Sequence, residues 1–329
     1  MNKRQILMVG GAGFIGSACT LHLQQAGYET VVFDNLETGD RSAIAGTFIE
    51  GDIRNERDLE DLFSSHHFDA VLHFAAKIHP QKSLKKPAEY YDVNFNGTVK
   101  LVKSMLRHDV RRLIFSSTAA VYGTINETSI TEKHKCNPET PYGISKLYAE
   151  KFLLALQKHG LLDVTCLRYF NASGAIPGKR IGERGQIEKH LIPLAIDAGL
   201  KKKNHLNIFG EDYPTFDGTC IRDYIHILDI ASAHQLALQE LLDGNQGDIY
   251  NLGSGTGHTV KQVVSEISKQ LQHDIPVQIK ERRLGDPAAL ITNSQKIKEK
   301  LGWNPTNSQL PEIIRSSIQW TTMYYQQNT

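Results

Sequence analysis

Through the first half of the chain, short runs of apolar, β-forming residues alternate with longer stretches whose apolar positions recur at helical spacing. Residues 6–9, 30–33, 48–49, 70–75, 113–117 and 164–169 read as strands. Residues 14–26, 89–108 and 142–159 read as helices, the first of them ending at Gly27. Strands that are apolar without polar alternation are buried on both faces, and strand–helix alternation supplies the helices that cover them. The pattern predicts an α/β fold with a doubly wound parallel sheet.

Beyond about residue 171 the rhythm breaks. Gly174, Pro177, Gly178, Gly182 and Gly185 crowd one loop-like segment, and helices are expected near 188–199, 229–243 and 259–272 with short strands between them. The expected division is residues 1–170 as one domain and 171–329 as a smaller α+β domain, with part of about 221–252 returning to the first. No repeat or low-complexity linker separates the two.

The 329 residues are 40% hydrophobic, which suits a substantial core. With 37 basic and 36 acidic residues the net charge is +1, so nothing points to a nucleic-acid or membrane partner, and Lys201–Lys203 reads as solvated surface. Cys19, Cys136, Cys166 and Cys220 form no C-x-x-C pair, and the 14 histidines form no H-E-x-x-H. No metal is expected, and scattered thiols suit the cytoplasm. Lys3 and Arg4 before an apolar run also fit a signal peptide, but that run is only four residues long before Gly10, and a glycine fingerprint explains it better. No apolar run approaches the ~18 residues of a membrane span.

The fingerprint is Gly10-Gly11-Ala12-Gly13-Phe14-Ile15-Gly16, between the first predicted strand and helix. Spaced glycines there let the backbone turn tightly and approach a pyrophosphate seated on the helix N-terminus. Asp34 ends the second predicted strand, 18 residues after Gly16. Alone it reads equally well as a turn residue before Asn35. Beside the glycine loop it is placed to accept both ribose hydroxyls and to repel a 2′-phosphate, which selects NAD over NADP. The sheet is thus Rossmann-type. Asp52–Ile53 and Phe74-Ala75-Ala76 end later strands and either flank the cofactor or simply pack.

Tyr142 and Lys146 form Y-x-x-x-K at the start of a helix that Thr140 caps and Pro141 opens. Positions i and i+4 share a face. A free tyrosine has a pKa of about 10, and a nearby lysine cation and the nicotinamide's positive charge favour its phenolate, which then exchanges protons with a hydroxyl. Thr118, at the carboxyl end of the fifth strand, is placed to hydrogen-bond the reacting oxygen. Ser116 and Ser117 read as backbone partners.

VGGAGFIGS, DNLETG, EGDIRN, HFAA, PAEYYDVNFNGT, FSSTAAVYG, PYGISK, LRYFNASGA, IFGEDYPTFDGTCIRDYIH, IYNLGSGTG and RRLGDPA together resemble the nucleotide-sugar epimerases of the extended short-chain dehydrogenase class, over nearly the whole chain. The resemblance implies C4 epimerisation of a UDP-sugar, UDP-glucose with UDP-galactose, through a transient 4-keto sugar and NAD, with UDP-N-acetylhexosamines as a further pair. A UDP-glucuronate or UDP-pentose epimerase is the alternative. It assigns Thr118, Tyr142 and Lys146 to catalysis. Gly10, Gly13, Phe14, Ile15, Gly16, Asp34, Asn35, Asp52, Ile53, Phe74, Ala75, Ala76 and Phe170, with Tyr142 and Lys146, would touch NAD. Asn171, Leu191, Phe209, Arg222, Tyr224, Arg283 and Asp286, with Thr118 and Tyr142, would hold the UDP-sugar. Arg222 and Arg283 suit a diphosphate, although each alone reads as a surface ion pair. Leu290 either walls the pocket beside the sugar C2 substituent or merely packs its domain. The long helices 89–108 and 142–159 imply a homodimer.

Three positions depart from the family pattern. Ile78 stands where relatives have a lysine near the cofactor, with Lys77 as its possible replacement. Val93 stands where many have asparagine, leaving Asn94 as a weaker candidate. His190 replaces an asparagine beside the diphosphate. The rival chemistry of a dehydratase needs Asp-Glu after the strand-end threonine, and here Ala119 and Ala120 follow Thr118. The rival of a catalytically idle NAD-sensing protein is opposed by the complete Thr118–Tyr142–Lys146 set.

Overall fold

A computed structural model describes residues 3–44, 46–125, 129–183, 190–283 and 286–327. Gly185, Gly285 and the first residues of the helix expected at 188–199 lie outside these. The first half supplies strands β1 (Gln5–Val9), β2 (Glu29–Asp34), β3 (Thr47–Glu50), β4 (Ala70–His73), β5 (Arg112–Thr118) and β6 (Asp163–Tyr169). Helices α1 (Phe14–Gln25), α2 (Glu56–Ser65), α3 (Pro80–Lys85), α4 (Pro87–Tyr91), α5 (Thr98–Arg107) and α6 (Pro141–Lys158) alternate with them. The second half contains β7 (Asn171–Ser173), α7 (Leu191–Gly199), β8 (Leu206–Phe209), β9 (Ile221–His226), α8 (Ile227–Leu242), β10 (Ile249–Leu252) and β11 (Gly257–Thr259). It closes with α9 (Val260–Leu271), β12 (Val277–Lys280), β13 (Ala289–Leu290), α10 (Gln295–Leu301) and α11 (Leu310–Gln327).

The main sheet is a Rossmann-type doubly wound one with seven parallel strands in the order β10-β6-β5-β4-β1-β2-β3. Along β1, Ile6 and Met8 join one core with Cys19 and Leu23 of α1 and with α8, while Leu7 and Val9 join another with Leu62, Met105 and Leu153 of α2, α5 and α6. This two-residue alternation between two apolar faces is why the strand is apolar at nearly every position. The chain runs outward from β1 to β3 and then jumps to β4, so the order reverses between β1 and β4. Ligand crevices open at the carboxyl ends of the strands at such a reversal.

After leaving β6 the chain returns to this sheet. β10 pairs with β6, and α8 packs on the face that α1 covers. β9 belongs instead to a second sheet with β7, β11 and β13, while β8 and β12 pair separately. Leu206, Ile208, Val263, Ile267 and Ile313 make the core of this smaller α+β part.

Two elements differ from the sequence expectation. The strand expected over 70–75 stops at His73, because the Phe74 and Ala75 N–H groups both turn to the Val9 carbonyl. The helix expected over 89–108 starts at Pro87 and contains a π-helical turn, Asp92–Gly97. The extra residue turns Asn94 inward, and a Cβ on Gly97 would lie 2.6 Å from Cδ1 of Ile53.

Candidate active site

Of the loop glycines, Gly10, Gly11 and Gly16 leave no room for a side chain. Gly10 has φ of +77°, and a Cβ there would stand 2.3 Å from the Ala75 nitrogen. At Gly16 a Cβ would stand 2.4 Å from the Gly10 carbonyl. Gly13 differs, with an ordinary φ of −76°, and a Cβ there would meet only the Gly10 carbonyl, at 3.4 Å. No neighbour in the chain excludes a side chain at Gly13. It caps α1 without any side-chain hydrogen bond, and the first turn, Phe14 and Ile15 included, has no acidic residue. Open space, unshielded N–H donors and a positive helix end fit an anionic pyrophosphate.

At the end of β2, Asp34 accepts from the N–H of Ala12 at 3.0 Å and of Leu36 at 2.9 Å. Burial raises its carboxyl, and these two N–H groups oppose the shift. Each oxygen retains a lone pair for a further donor. Asn35 donates to Asp52 at 2.9 Å, and Arg54 donates to the same carboxylate at 3.0 and 2.6 Å. The Arg54 hydrogen bond, outweighing burial, holds Asp52 well below the usual carboxylate range. Ile53 is buried, Phe74 packs 5.0 Å from the His234 ring, Ala75 and Ala76 are half-buried, and Phe170 is buried beside Val121 and Leu147.

Thr118 ends β5 and Tyr142 opens α6, which brings the threonine hydroxyl close enough to the phenol to influence it. Thr140 caps α6 by accepting from Gly143 N–H at 3.3 Å. Burial pushes the Tyr142 phenol up to about 12, opposed by Thr118 and reinforced by Tyr90. Lys146, also buried, donates to the Ser116 carbonyl at 2.8 Å and lies 4.7 Å above the Phe115 ring. Burial lowers it to about 7, with Glu150 and Cys166 resisting. The sequence expectation counts two cations in favour of the Tyr142 phenolate, Lys146 and the nicotinamide, and the second belongs to the cofactor rather than to the chain. Within the chain alone, desolvation is the largest influence on the phenol and raises it.

Three residues that received no role from sequence, or only a weak one, organise this floor. Glu150 accepts from Ser117 Oγ and takes a two-pronged contact from Arg168 at 2.9 and 2.5 Å. Arg168 also donates to the Tyr122 hydroxyl at 2.9 Å, which donates to Asn251 at 2.7 Å. Glu150 lies four residues past Lys146 on the same helix, and Arg168 sits within an apolar strand, where a charge requires a partner; those were the available signals. Asn94 accepts from Lys77 N–H at 2.8 Å and donates to the Lys77 carbonyl at 3.0 Å and to Ser145 at 3.1 Å. It clamps backbone, while Val93 packs in the core.

In the second sheet, Asn171 donates to the Asp223 carbonyl at 2.8 Å, joining β7 to β9. Arg222 of β9 donates to the carbonyls of Ile221 and Pro287, each at 2.8 Å, and meets Asp286 at 3.3 Å. The exposed Arg283 guanidinium stacks 3.9 Å above the Phe209 ring. Tyr224 is buried, and Leu191 opens α7. Leu290 pairs in register with Arg222 and packs on the cluster of Val121, Tyr122 and Phe170. Lys77 is bonded to Glu37 at 2.6 Å while Ile78 is exposed, and His190 meets Glu183 at 3.0 Å. Among the described residues no group of three His, Cys, Asp or Glu side chains is arranged to hold a metal, and no helix is long and apolar enough to cross a membrane.

Residues 6–253 match the NAD dependent epimerase/dehydratase family, and the chain belongs to it. It is 44% identical over 316 residues to the UDP-glucose 4-epimerase of Halalkalibacterium halodurans, covering 96% of this chain and 95% of that one. The UDP-glucose 4-epimerase from Brucella ovis, solved in complex with NAD, superposes with a TM-score of 0.92 at 41% identity, over 95% of this chain and 97% of that one. The Bifidobacterium longum UDP-glucose 4-epimerase, solved with NAD+ and UDP, does so with a TM-score of 0.92 at 34% identity, over 97% and 98%.

Proposed function

We propose that this chain interconverts UDP-glucose and UDP-galactose by inverting C4 through a transient 4-keto sugar. The observation that carries the reading is the buried Tyr142 next to Thr118, with Lys146 on the same helix face, and a glycine loop left open at Gly13. NAD, when bound, takes up and returns the hydride. Gly10, Gly13, Phe14, Ile15 and Gly16 hold its pyrophosphate. Asp34, Asn35, Asp52 and Ile53 hold its adenosine, and Phe74, Ala75, Ala76 and Phe170 line the rest. Thr118 positions the sugar 4-oxygen, and Tyr142 takes its proton and gives it back. A phenol held near 12 needs a cation beside it to serve as base near neutrality, and Lys146 is the chain's own candidate once its ammonium leaves the Ser116 carbonyl. Ala119 and Ala120 after Thr118 transfer no proton, so the site does not dehydrate its sugar.

Arg222, Arg283, Asp286, Asn171, Leu191, Phe209 and Tyr224 hold the UDP-sugar, with residues 1–170 and the returning β10 as cofactor domain. Leu290 walls the C2 side and admits UDP-N-acetylhexosamines more slowly. The aromatic face of Tyr91, Phe95, Tyr148 and Phe152, with Tyr148 47% exposed, supports a homodimer through α4–α6. Four free thiols suit the cytoplasm. The test is purified protein saturated with NAD and given UDP-galactose. UDP-glucose is expected to appear, and its absence overturns the reading.

A further inference from the structure

The ion pair Lys77–Glu37 lies in a telling place. Glu37 follows β2 and Lys77 follows β4, and in the sheet these strands flank β1 on either side. Neighbouring strands are about 4.8 Å apart, so strands two places apart stand roughly 10 Å from one another. The contact of 2.6 Å between Lys77 Nζ and Glu37 therefore bridges the carboxyl end of β1. That is where the glycine loop turns into α1 and where the strand order reverses.

Both ends of the bridge are anchored. Asn94 holds the backbone N–H and carbonyl of Lys77, at 2.8 and 3.0 Å, from inside the core. The N–H of Glu37 donates to Asn35 at 3.0 Å, and Asn35 is in turn tied to Asp52. Lys77 also has a second acidic neighbour, Glu89 of α4, at 3.7 Å. Glu89 follows β4 in the chain, as Lys77 does, so the ammonium has an acidic partner that does not require it to cross the crevice.

We infer that Lys77 and Glu37 form a clasp across the dinucleotide crevice that slows release of the cofactor, opening when Lys77 swings from Glu37 to Glu89. The inference rests on the proposed NAD-dependent reaction, in which the same cofactor molecule must receive and return the hydride and so gains nothing by leaving between turnovers.

Glu37→Gln separates the clasp from simple charge attraction. Removing a carboxylate near an anionic pyrophosphate strengthens cofactor binding if only long-range charge matters. If the clasp operates, the same change frees the bridge and speeds release. The experiment uses the NAD-loaded full chain, chased with excess labelled NAD, and follows the loss of bound unlabelled cofactor. Glu37→Gln and Lys77→Met are expected to release NAD about two- to fivefold faster than wild type, the range that a part-exposed ion pair contributes. The exchanged pair Glu37→Lys with Lys77→Glu is expected to restore slow release. Release from Glu37→Gln that is unchanged or slower overturns the clasp. A wild-type chain that holds no NAD even at saturation overturns the underlying reading instead.

Discussion

At the end of β5, Ser117, Glu150, Arg168 and Tyr122 are bonded to one another in a space closed to water, with the side chains of Arg168 and Glu150 3% and 0% exposed. In the second sheet and its flanking loop, Arg222 and Asp286 are 13% and 33% exposed and meet at 3.3 Å, and Arg283 lies on an aromatic ring at the surface. Under the proposed reaction the two groups would serve different tasks. Proton transfer needs donors and charges fixed before substrate arrives, and a dry site magnifies each of them. Diphosphate and sugar recognition needs cations that are still free to exchange one partner for another. The first group is sealed from water, and the second is part-exposed.

The sharpest way to break this contrast is Tyr142→Phe. It removes the proton shuttle and leaves the second group intact, so turnover should fall by roughly 10²–10⁴-fold with little change in UDP binding. Near-normal turnover in a direct assay would remove Tyr142 from the mechanism.

Next come the two ion pairs. Glu150→Gln strands the Arg168 charge in the core and should cost about 3–5 kcal/mol in urea unfolding. Asp286→Asn at the part-exposed pair should cost under about 1 kcal/mol. Equal losses from the two variants would mean that burial does not separate the two groups.

Lys146 gives the buried group a pH signature. Burial lowers its ammonium to about 7, whereas an unfolded lysine titrates near 10.4. Between these values the unfolded chain binds more protons, so the stability penalty of a buried charge is full below about 7 and is relieved as pH rises. The stability advantage of Lys146→Met over wild type should therefore shrink from about pH 6.5 to about pH 9.5. A gap that is constant over this range would show that Lys146 does not titrate there.

The narrowest effect, confined to one substrate pair, is expected at Leu290, which pairs with Arg222 and packs on Tyr122 and Phe170. Leu290→Tyr should narrow the pocket and lower kcat/KM for UDP-N-acetylglucosamine by about 10-fold or more, sparing UDP-galactose. N-acetyl activity left untouched by the tyrosine would place Leu290 outside the sugar pocket. A wild type that prefers the N-acetyl pair would reverse the substrate ranking while leaving the chemistry in place.

Much of the cofactor side was legible in the residues. Gly10 and Gly16 are spaced as a tight strand–helix turn requires, and Tyr142 and Lys146 as one helix face requires. These are local constraints, and a local pattern records them. Glu150 carried a fainter trace in its spacing from Lys146, but its partner Arg168 lies on another strand. The π-helical turn over Asp92–Gly97 left no periodic signature, because one extra residue in a long amphipathic stretch shifts the apolar stripe only slightly. Lys77 stands one place before the family's lysine position, and only the fold sets Glu37 and Glu89 around it.

The chain by itself determined the parallel sheet, its glycine turn and the face of α6 that carries the phenol, since each follows from backbone geometry and apolar periodicity over a few residues. Tertiary structure alone decided which strand β10 pairs with, that Arg168 neutralises Glu150, that Lys77 reaches over β1 and that burial raises the Tyr142 phenol. These depend on which distant groups share a water-free space, and burial sets the strength of every charge within it.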